Sequence, residues 1–174
     1  MTALNTVAAR LKLVAMDVDG VLTNGTVTYD SNGLEHKSFC IKDGLGIKLL
    51  QKAGLRVALI TGRSSAMVER RAAELGITDL IQGREDKLTA LQEMVALMGC
   101  TLEDAAYMGD DLPDLAAVKG AAHGACPADA VGPVRDAADF IATTQGGQGA
   151  VREWAETLLR ARGEWETLVK TYDL

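Results

Sequence analysis

The sequence predicts an α/β protein built on a doubly wound parallel sheet. Short apolar runs typical of buried strands alternate along the chain with segments whose apolar residues have helical spacing. Acidic and hydroxyl residues directly follow several of these strands, at the edge where an open parallel sheet binds its ligands. The chain has 174 residues, enough for one sizeable core and too few for two ordinary domains. We therefore expect a single domain over residues 1–174.

A strand and a hairpin open the predicted fold. The apolar run 11–16 predicts a buried strand that stops at an acid, Asp17. Two β-rich runs, 26–30 and 35–41, flank a Ser-Asn-Gly turn. This pattern predicts a small β-hairpin insertion at about 25–41.

Helices and strands then alternate to the end of the chain. Gly54 and Gly76 are suitable helix C-caps, and Ser64 can cap the N-terminus of the helix that Gly76 ends. The predicted helices cover 44–53, 64–75, 85–98, 128–137 and 150–162, with one more after the acids at 110–114; the predicted strands cover 56–60, 79–82, 105–108, 121–125 and 139–142. Strands separated by helices imply parallel pairing with helices on both faces. A glycine-rich segment and tail, about 145–174, closes the chain.

Charge and cysteine content narrow the classes of function. The formal net charge of −6 argues against broad binding to nucleic acid or to an anionic membrane. Cys40, Cys100 and Cys126 have neither metal-ligand spacing nor a paired framework, which favours a reducing, cytoplasmic location. The first ten residues lack the features of a signal peptide, and no segment approaches transmembrane length.

Two acids follow the first strand. Asp17 and Asp19 are two positions apart, and such positions on an extended chain share a side, so both carboxylates can face one point. Carboxylates this close repel unless a cation or a shared proton relieves them. One interpretation is Mg²⁺ bound through carboxylate and backbone oxygens. The alternative is an Asp-Gly turn with a solvated acid beside it.

Three further segments carry polar residues at predicted strand or helix ends. The Thr61 hydroxyl and the Gly62 amide can hold a phosphoryl oxygen, or they can form an ordinary turn at a helix start. Lys87 stands in a first helical turn, where a cation is mildly unfavourable unless an anion lies near it. The run from Gly109 to Asp114 has three acids. Helix capping explains the later two better than it explains Asp110, which is still at the strand tip.

In this order, the four segments resemble the motifs of the haloacid dehalogenase superfamily of phosphotransferases, and the resemblance covers essentially the whole chain. It implies a Mg²⁺-dependent phosphatase in which the first acid attacks phosphorus and the second protonates the leaving oxygen and later activates water. The residues implied as catalytic are Asp17, Asp19, Thr61 and Lys87. Those implied as metal ligands are Asp17, Asp110 and Asp19, the last through its backbone carbonyl.

Longer strings at 41–50, 60–64 and 146–153 look like the capless, tetrameric 3-deoxy-D-manno-octulosonate 8-phosphate phosphatases. Those enzymes release phosphate from an eight-carbon sugar acid ahead of its activation for lipopolysaccharide synthesis. The resemblance implies the following substrate-binding residues: Asp19, Lys42, Asp43, Gly44, Lys48, Gly62, Arg63, Arg71, Lys87 and Arg152. Asn24 and Pro113 depart from the family pattern, which leaves the local loop geometry open.

The motifs are too close together for a cap domain. Only the hairpin and one helix separate Asp19 from Thr61, and only a helix and a short strand separate Thr61 from Lys87. A capless enzyme of this superfamily acts on a macromolecule or is covered by a neighbouring subunit. The resemblance implies a homotetramer in which Arg152 reaches a neighbour's site, and the hairpin is a candidate for the central contact between subunits. The alternatives are a hairpin folded onto its own domain and a solvated Arg152.

Two other functions remain open at the level of sequence. The related nonulosonate 9-phosphate phosphatases resemble this chain but tend to carry an acid after the Thr-Gly pair, where this chain has Arg63. A planar guanidinium suits the carboxylate of a sugar acid. A noncatalytic phospho-binding oligomeric module would normally show a broken motif, and all four motifs are intact.

Overall fold

The computed structural model describes residues 3–173. Its central sheet has six parallel strands in the spatial order β5-β4-β1-β6-β7-β8. In chain order these strands are β1 (Leu13–Met16), β4 (Arg56–Ile60), β5 (Asp79–Ile81), β6 (Ala105–Met108), β7 (His123–Cys126) and β8 (Phe140–Ile141); β2 (Thr28–Tyr29) and β3 (Glu35–His36) form the separate hairpin. After β1 the chain adds β4 and β5 on one side of that strand, and it later adds β6, β7 and β8 on the other side. The carboxyl ends of β1 and its neighbours therefore lie at a topological switch point.

Eight helices surround the sheet within the described residues. They are α1 (Ala3–Arg10), α2 (Ile41–Lys52), α3 (Ala66–Leu75), α4 (Lys87–Leu97), α5 (Leu115–Gly120), α6 (Gly132–Ala137), α7 (Ala150–Ala161) and α8 (Trp165–Lys170). Successive β1 side chains enter opposite cores: Val14 and Met16 pack with α2, α3 and α7, whereas Leu13 and Ala15 pack with α4, α5 and α6. The doubly wound α/β prediction is confirmed.

The predicted elements differ from the observed ones mainly at their ends. α2 begins at Ile41 rather than at residue 44, because Cys40 is the last extended residue before it. The hairpin is shorter than predicted, with two residues in each strand. The sequence pattern did not predict α1 or α8. α1 packs against α7, and α8 begins at the buried residue Trp165.

The links between the motifs are short. Between β1 and β4 the chain forms only the hairpin and α2, and between β4 and α4 only α3 and β5. Across residues 3–173 no cap domain is present. Within the same residues, none of the helices has the length and apolar character needed to cross a bilayer.

Candidate active site

The ends of β1, β4 and β6 form one polar site. The Asp17 amide donates to the Met108 carbonyl at 3.0 Å, which continues the β1–β6 ladder by one residue and holds Asp17 at the sheet edge. Thr61 and Gly109 take the equivalent places after β4 and β6. A cavity of about 320 Å³ opens there, lined by Asp17, Asp19, Gly25, Thr61, Gly62, Arg63, Glu85, Lys87, Asp110, Asp111, Pro113 and Asp114.

Lys87 connects the carboxylates of this site. It is the first residue of α4 and is buried. Its Nζ lies 2.9 Å from Asp17 Oδ1 and 3.0 Å from Asp114 Oδ1. Burial lowers the pKa of Lys87, but the two carboxylates outweigh this effect and raise the pKa above its ordinary value. The lysine is therefore charged at neutral pH.

Asp114 acts inside the site rather than at its surface. Its Oδ1 accepts from the Tyr107 hydroxyl at 2.7 Å and from Lys87, and its Oδ2 accepts from the amides of Asp110 and Asp111 at 3.1 and 3.3 Å. Both oxygens are thus occupied. Asp114 positions Lys87 and the loop after β6, a role that the sequence reasoning did not assign to it. The available signal was its place three residues after Asp111, where it also closes a capping box.

The site contains more negative charge than its lysine can neutralise. One oxygen from each of Asp17, Asp110 and Asp114 lies within 4.8 Å of the others. Burial, followed by the charge of Asp114, raises the pKa of Asp17 to about 6 and that of Asp110 to about 8. Asp17 Oδ1 is buried and forms an ion pair with Lys87 at 2.9 Å, without a well-aligned hydrogen bond. Three carboxylates around one ammonium leave net negative charge, which fits a hard divalent cation.

Gly20 allows Asp110 to approach the turn after β1. Its φ is +91°, and a Cβ atom on it would lie 2.0 Å from Asp110 Oδ2. Any other residue would therefore displace the carboxylate as well as strain the turn. The glycine after Asp19 thus serves the packing of the acidic cluster.

The hairpin contributes to the site of its own chain. Lys37 follows β3, and its ammonium contacts Asp19 Oδ1 and lies 3.4 Å from Glu35 Oε1. Glu35 Oε1 also accepts from Arg63 Nη2 at 3.0 Å. The sequence reasoning missed Lys37 because the strand pattern does not reveal which hairpin residue points back to the sheet.

Six of the predicted substrate-binding residues do not line this cavity: Lys42, Asp43, Gly44, Lys48, Arg71 and Arg152. Asp43 is buried and accepts from the amides of Gly149 and Arg152, so it caps the start of α7. The Arg71 guanidinium lies near Gly44 and over the Phe39 ring. Arg152 Nε pairs with Glu156 at 2.7 Å. Contact between these six residues and the substrate therefore stays a prediction.

The glycine-rich segment is packed closely against the loop after β1. A Cβ atom on Gly146 would lie 1.8 Å from the Gly20 carbonyl oxygen, and the Gly147 amide donates to the Val21 carbonyl at 2.9 Å. The Gly146 amide also donates to Asp129. These glycines therefore permit close backbone contact beside the cavity.

Comparison with known proteins identifies the family of this chain. Residues 76–153 match the family described as haloacid dehalogenase-like hydrolase. The 3-deoxy-D-manno-octulosonate 8-phosphate phosphatase of Haemophilus influenzae is 44% identical over 154 residues, covering 88% of this chain and 86% of that protein.

Solved structures agree with the sequence comparison. A crystal structure of the phosphatase of the same name from Moraxella catarrhalis, in complex with magnesium, phosphate and KDO, has a TM-score of 0.96 and 46% identity, and the match covers 99% of each chain. The cobalt-bound Haemophilus influenzae structure has a TM-score of 0.88 and 42% identity, covering 92% of this chain and 94% of that one. The resemblance inferred from the motifs is confirmed: the chain belongs to the 3-deoxy-D-manno-octulosonate 8-phosphate phosphatase family of haloacid dehalogenase-like hydrolases.

Proposed function

We propose that this phosphatase hydrolyses 3-deoxy-D-manno-octulosonate 8-phosphate to the free sugar acid and phosphate, as a step in the supply of lipopolysaccharide precursors. The observation that carries the proposal is the buried Asp17 at the tip of β1, which is paired with Lys87 and lines an open cavity. The substrate follows from the names of relatives that are 44% and 46% identical to this chain.

Mg²⁺ is the cofactor that fits the acidic cluster. Asp17 and Asp110 would hold it through side-chain oxygens and Asp19 through its backbone carbonyl, whereas Asp114 already uses both of its oxygens. When bound, the cation offsets the repulsion between these carboxylates and an incoming phosphate.

The residues of the chain support a two-step displacement. An Asp17 oxygen forms a bond to phosphorus while the ester P–O bond breaks, and the electron pair stays on the leaving sugar oxygen, which takes a proton from Asp19. The Lys87 ammonium and the Thr61 hydroxyl face the equatorial phosphoryl oxygens. In the second step Asp19 takes a proton from water, whose oxygen bonds to phosphorus as the Asp17–phosphorus link breaks. Phosphate and free Asp17 result.

We also propose that the enzyme is a homotetramer whose sites are completed by a neighbouring subunit. Four apolar side chains on the hairpin and at the start of α2 support this, since they are between 46% and 83% exposed: Val27, Tyr29, Leu34 and Ile41. A cavity without a cap also needs a cover to discriminate a small substrate. The proposed neighbour contribution comes from the C-terminal segment and includes Arg152.

The three cysteines support a cytoplasmic location for the protein. Cys126 is buried, Cys40 and Cys100 are partly exposed, and all three are free thiols. An oxidising compartment would expose the two accessible thiols to oxidation.

The packing of residues 3–173 around one sheet supports a single domain.

A panel of sugar-acid phosphates tests the proposed substrate. With Mg²⁺ present, we expect kcat/KM for octulosonate 8-phosphate to exceed that for a nonulosonate 9-phosphate by about tenfold or more, because pocket fit alone discriminates by such factors. EDTA should abolish turnover and added Mg²⁺ should restore it. A preference for the nine-carbon substrate, or activity that EDTA leaves unchanged, would contradict the proposal.

A further inference from the structure

A second lysine reaches the site from the hairpin and pairs with the other aspartate. The Lys37 side chain is only 1% exposed. Among the described residues, its recorded partners are two carboxylates: Asp19, in direct contact, and Glu35, at 3.4 Å. A buried ammonium is costly unless anions pair with it. The position of Lys37 is therefore determined by Asp19 and Glu35.

The contact makes the two oxygens of Asp19 different from each other. Lys37 donates to Oδ1, whereas Oδ2 is buried and accepts no hydrogen bond. Arg63 Nε lies 4.0 Å from Oδ2. Because an ammonium offers only donors, Oδ1 must act as an acceptor. A proton on this carboxyl group consequently belongs on Oδ2.

We propose that Lys37 is a positioning residue of the phosphatase reaction. By holding Oδ1, it orients the Asp19 carboxyl group so that Oδ2 carries the proton that is delivered to the leaving oxygen. The inference rests on the proposed function, in which Asp19 is the general acid. It adds a role for the hairpin within its own subunit.

Glu35 and Arg63 extend this arrangement. Glu35 Oε1 accepts from Arg63 Nη2 at 3.0 Å as well as pairing with Lys37. A chain of four charged groups thus connects the loop after β1, the hairpin and the turn after β4. These contacts give the Lys37 ammonium a second carboxylate partner and so hold it in place against Oδ1.

The leaving group distinguishes positioning from a purely structural role. A sugar alkoxide leaves only if it is protonated, whereas p-nitrophenolate needs little protonation. A misoriented Asp19 should therefore slow departure of the sugar selectively. Hydrolysis of the phosphorylated Asp17 also uses Asp19 and is common to both substrates, so the comparison is made on kcat/KM, which reports only the steps up to departure of the leaving group. Loosening of the hairpin or loss of folded protein would slow both substrates to the same extent.

The experiment compares Lys37→Met, Lys37→Arg and a matched control, Lys119→Met, whose lysine is exposed on α5. In Mg²⁺, we expect Lys37→Met to lower kcat/KM on octulosonate 8-phosphate by about 10- to 100-fold, a part of the roughly 10²- to 10⁴-fold that general acid–base catalysis supplies. Its kcat/KM on p-nitrophenyl phosphate should fall less than about threefold, since the defect is in proton delivery to the leaving group rather than in binding. Lys37→Arg should recover part of the loss, and the control should match the wild type on both substrates.

Equal losses on the two substrates, or no loss on either, would overturn the role of Lys37. If Lys37→Met is unstable by circular dichroism, Lys37→Gln is measured under the same criteria. Wild-type enzyme that hydrolyses p-nitrophenyl phosphate but not octulosonate 8-phosphate would overturn the proposed substrate alone. In that case a series of alkyl and aryl phosphates still tests Lys37 through its dependence on the leaving group.

Discussion

Asp17 and Asp19 stand two positions apart, yet different lysines hold them. Lys87, at the start of α4, pairs with Asp17, and Lys37, from the hairpin, pairs with Asp19. The two contacts allow the carboxyl groups to be oriented separately, as the two proposed roles require: the nucleophile must face phosphorus and the acid must face the leaving oxygen. The two lysines come from the hairpin and from α4, which are distant in sequence and are brought to one site only by the fold.

Replacing Asp17 by Asn tests the nucleophile. The amide has the same shape but cannot attack phosphorus, so we expect turnover to fall by about 10³-fold or more. The melting temperature without metal should not fall, since the change removes a buried carboxylate that repels its neighbours. Steady-state kinetics and thermal unfolding measure these effects. Asp136→Asn, which changes an exposed acid of α6, is the matched control, and folded Asp17→Asn protein with full turnover would refute the assignment.

The Tyr107 hydroxyl is expected to stabilise both the fold and the site. Tyr107 is fully buried, and its hydroxyl donates to Asp114 Oδ1, the oxygen that also holds Lys87. Tyr107→Phe should lower the free energy of unfolding by about 1–2 kcal/mol, the usual effect of losing one buried hydrogen bond. It should also reduce kcat severalfold, because Lys87 loses part of its support. Urea unfolding and kinetics test this, with Tyr172→Phe, which changes an exposed tyrosine, as the control; an unchanged unfolding curve would refute it.

For individual residues, the sequence predicted those that belong to motifs and missed those that act through three-dimensional contacts. Asp17, Thr61, Lys87 and Asp110 follow strands or open a helix, so their convergence could be expected from parallel topology. Lys37 could not be predicted because its contact depends on the angle of the hairpin to the sheet. The capping role of Asp43 likewise requires knowing that α7 packs beside α2.

Negative charge is concentrated at the carboxyl ends of β1 and β6, where Asp17 and Asp110 lie. In the metal-free protein, burial and like charge raise the pKa of Asp17 to about 6 and that of Asp110 to about 8, well above the unfolded value of about 4. These two groups therefore bind more protons in the folded state than in the unfolded chain up to about pH 8. Stability from these groups is present at low pH and is lost as pH rises through their folded pKa values.

We therefore expect the melting temperature in EDTA to fall between pH 6.5 and pH 8. The fall should be a few degrees, the size expected for about 1 kcal/mol in a domain of this length. Millimolar Mg²⁺ should reduce the fall, because it binds the folded, deprotonated site. Calorimetry of the wild type and of Asp110→Asn tests this, since the variant lacks the group that titrates highest. A melting temperature that rises over this interval in EDTA would contradict the pKa assignment.

Strands were predicted more accurately than helix ends or small terminal elements. β4 and β6 match their predicted bounds because apolar runs stop at polar residues there. α2 begins three residues before its predicted start, where the polar residues Lys42 and Asp43 hide the helical pattern. α8 is only six residues long and is fixed by burial of Trp165 and Leu168, which is tertiary packing that a periodicity cannot reveal.

The whole molecule presents an acidic cavity to an anionic substrate. The formal net charge is −6, and among the cavity residues Lys87 and Arg63 are the cations, against six acids. Binding of a phosphate that also carries a carboxylate therefore needs further positive charge. The bound cation supplies part of it, and Arg152 of a proposed neighbouring subunit would supply more.

Assembly is best tested by point changes on the hairpin. Removing the chain from residue 146 onwards would delete α7, whose Trp154, Leu158 and Leu159 are fully buried, so a truncated chain would lose its core. Leu34 is a better target, because it is 62% exposed at the hairpin turn and lies outside the cavity.

Leu34→Glu should dissociate the proposed tetramer, because burying an unpaired carboxylate in an apolar contact costs several kcal/mol. Since a separated subunit lacks its neighbour's cover, kcat/KM on octulosonate 8-phosphate should fall by about tenfold or more. Hydrolysis of p-nitrophenyl phosphate, which needs less discrimination, should change less. Sedimentation velocity and kinetics on the same samples measure both effects, with Leu97→Glu, which changes a side chain that is 90% exposed on α4, as the matched control. A monomeric Leu34→Glu enzyme with full activity on the sugar phosphate would show that each subunit completes its own site.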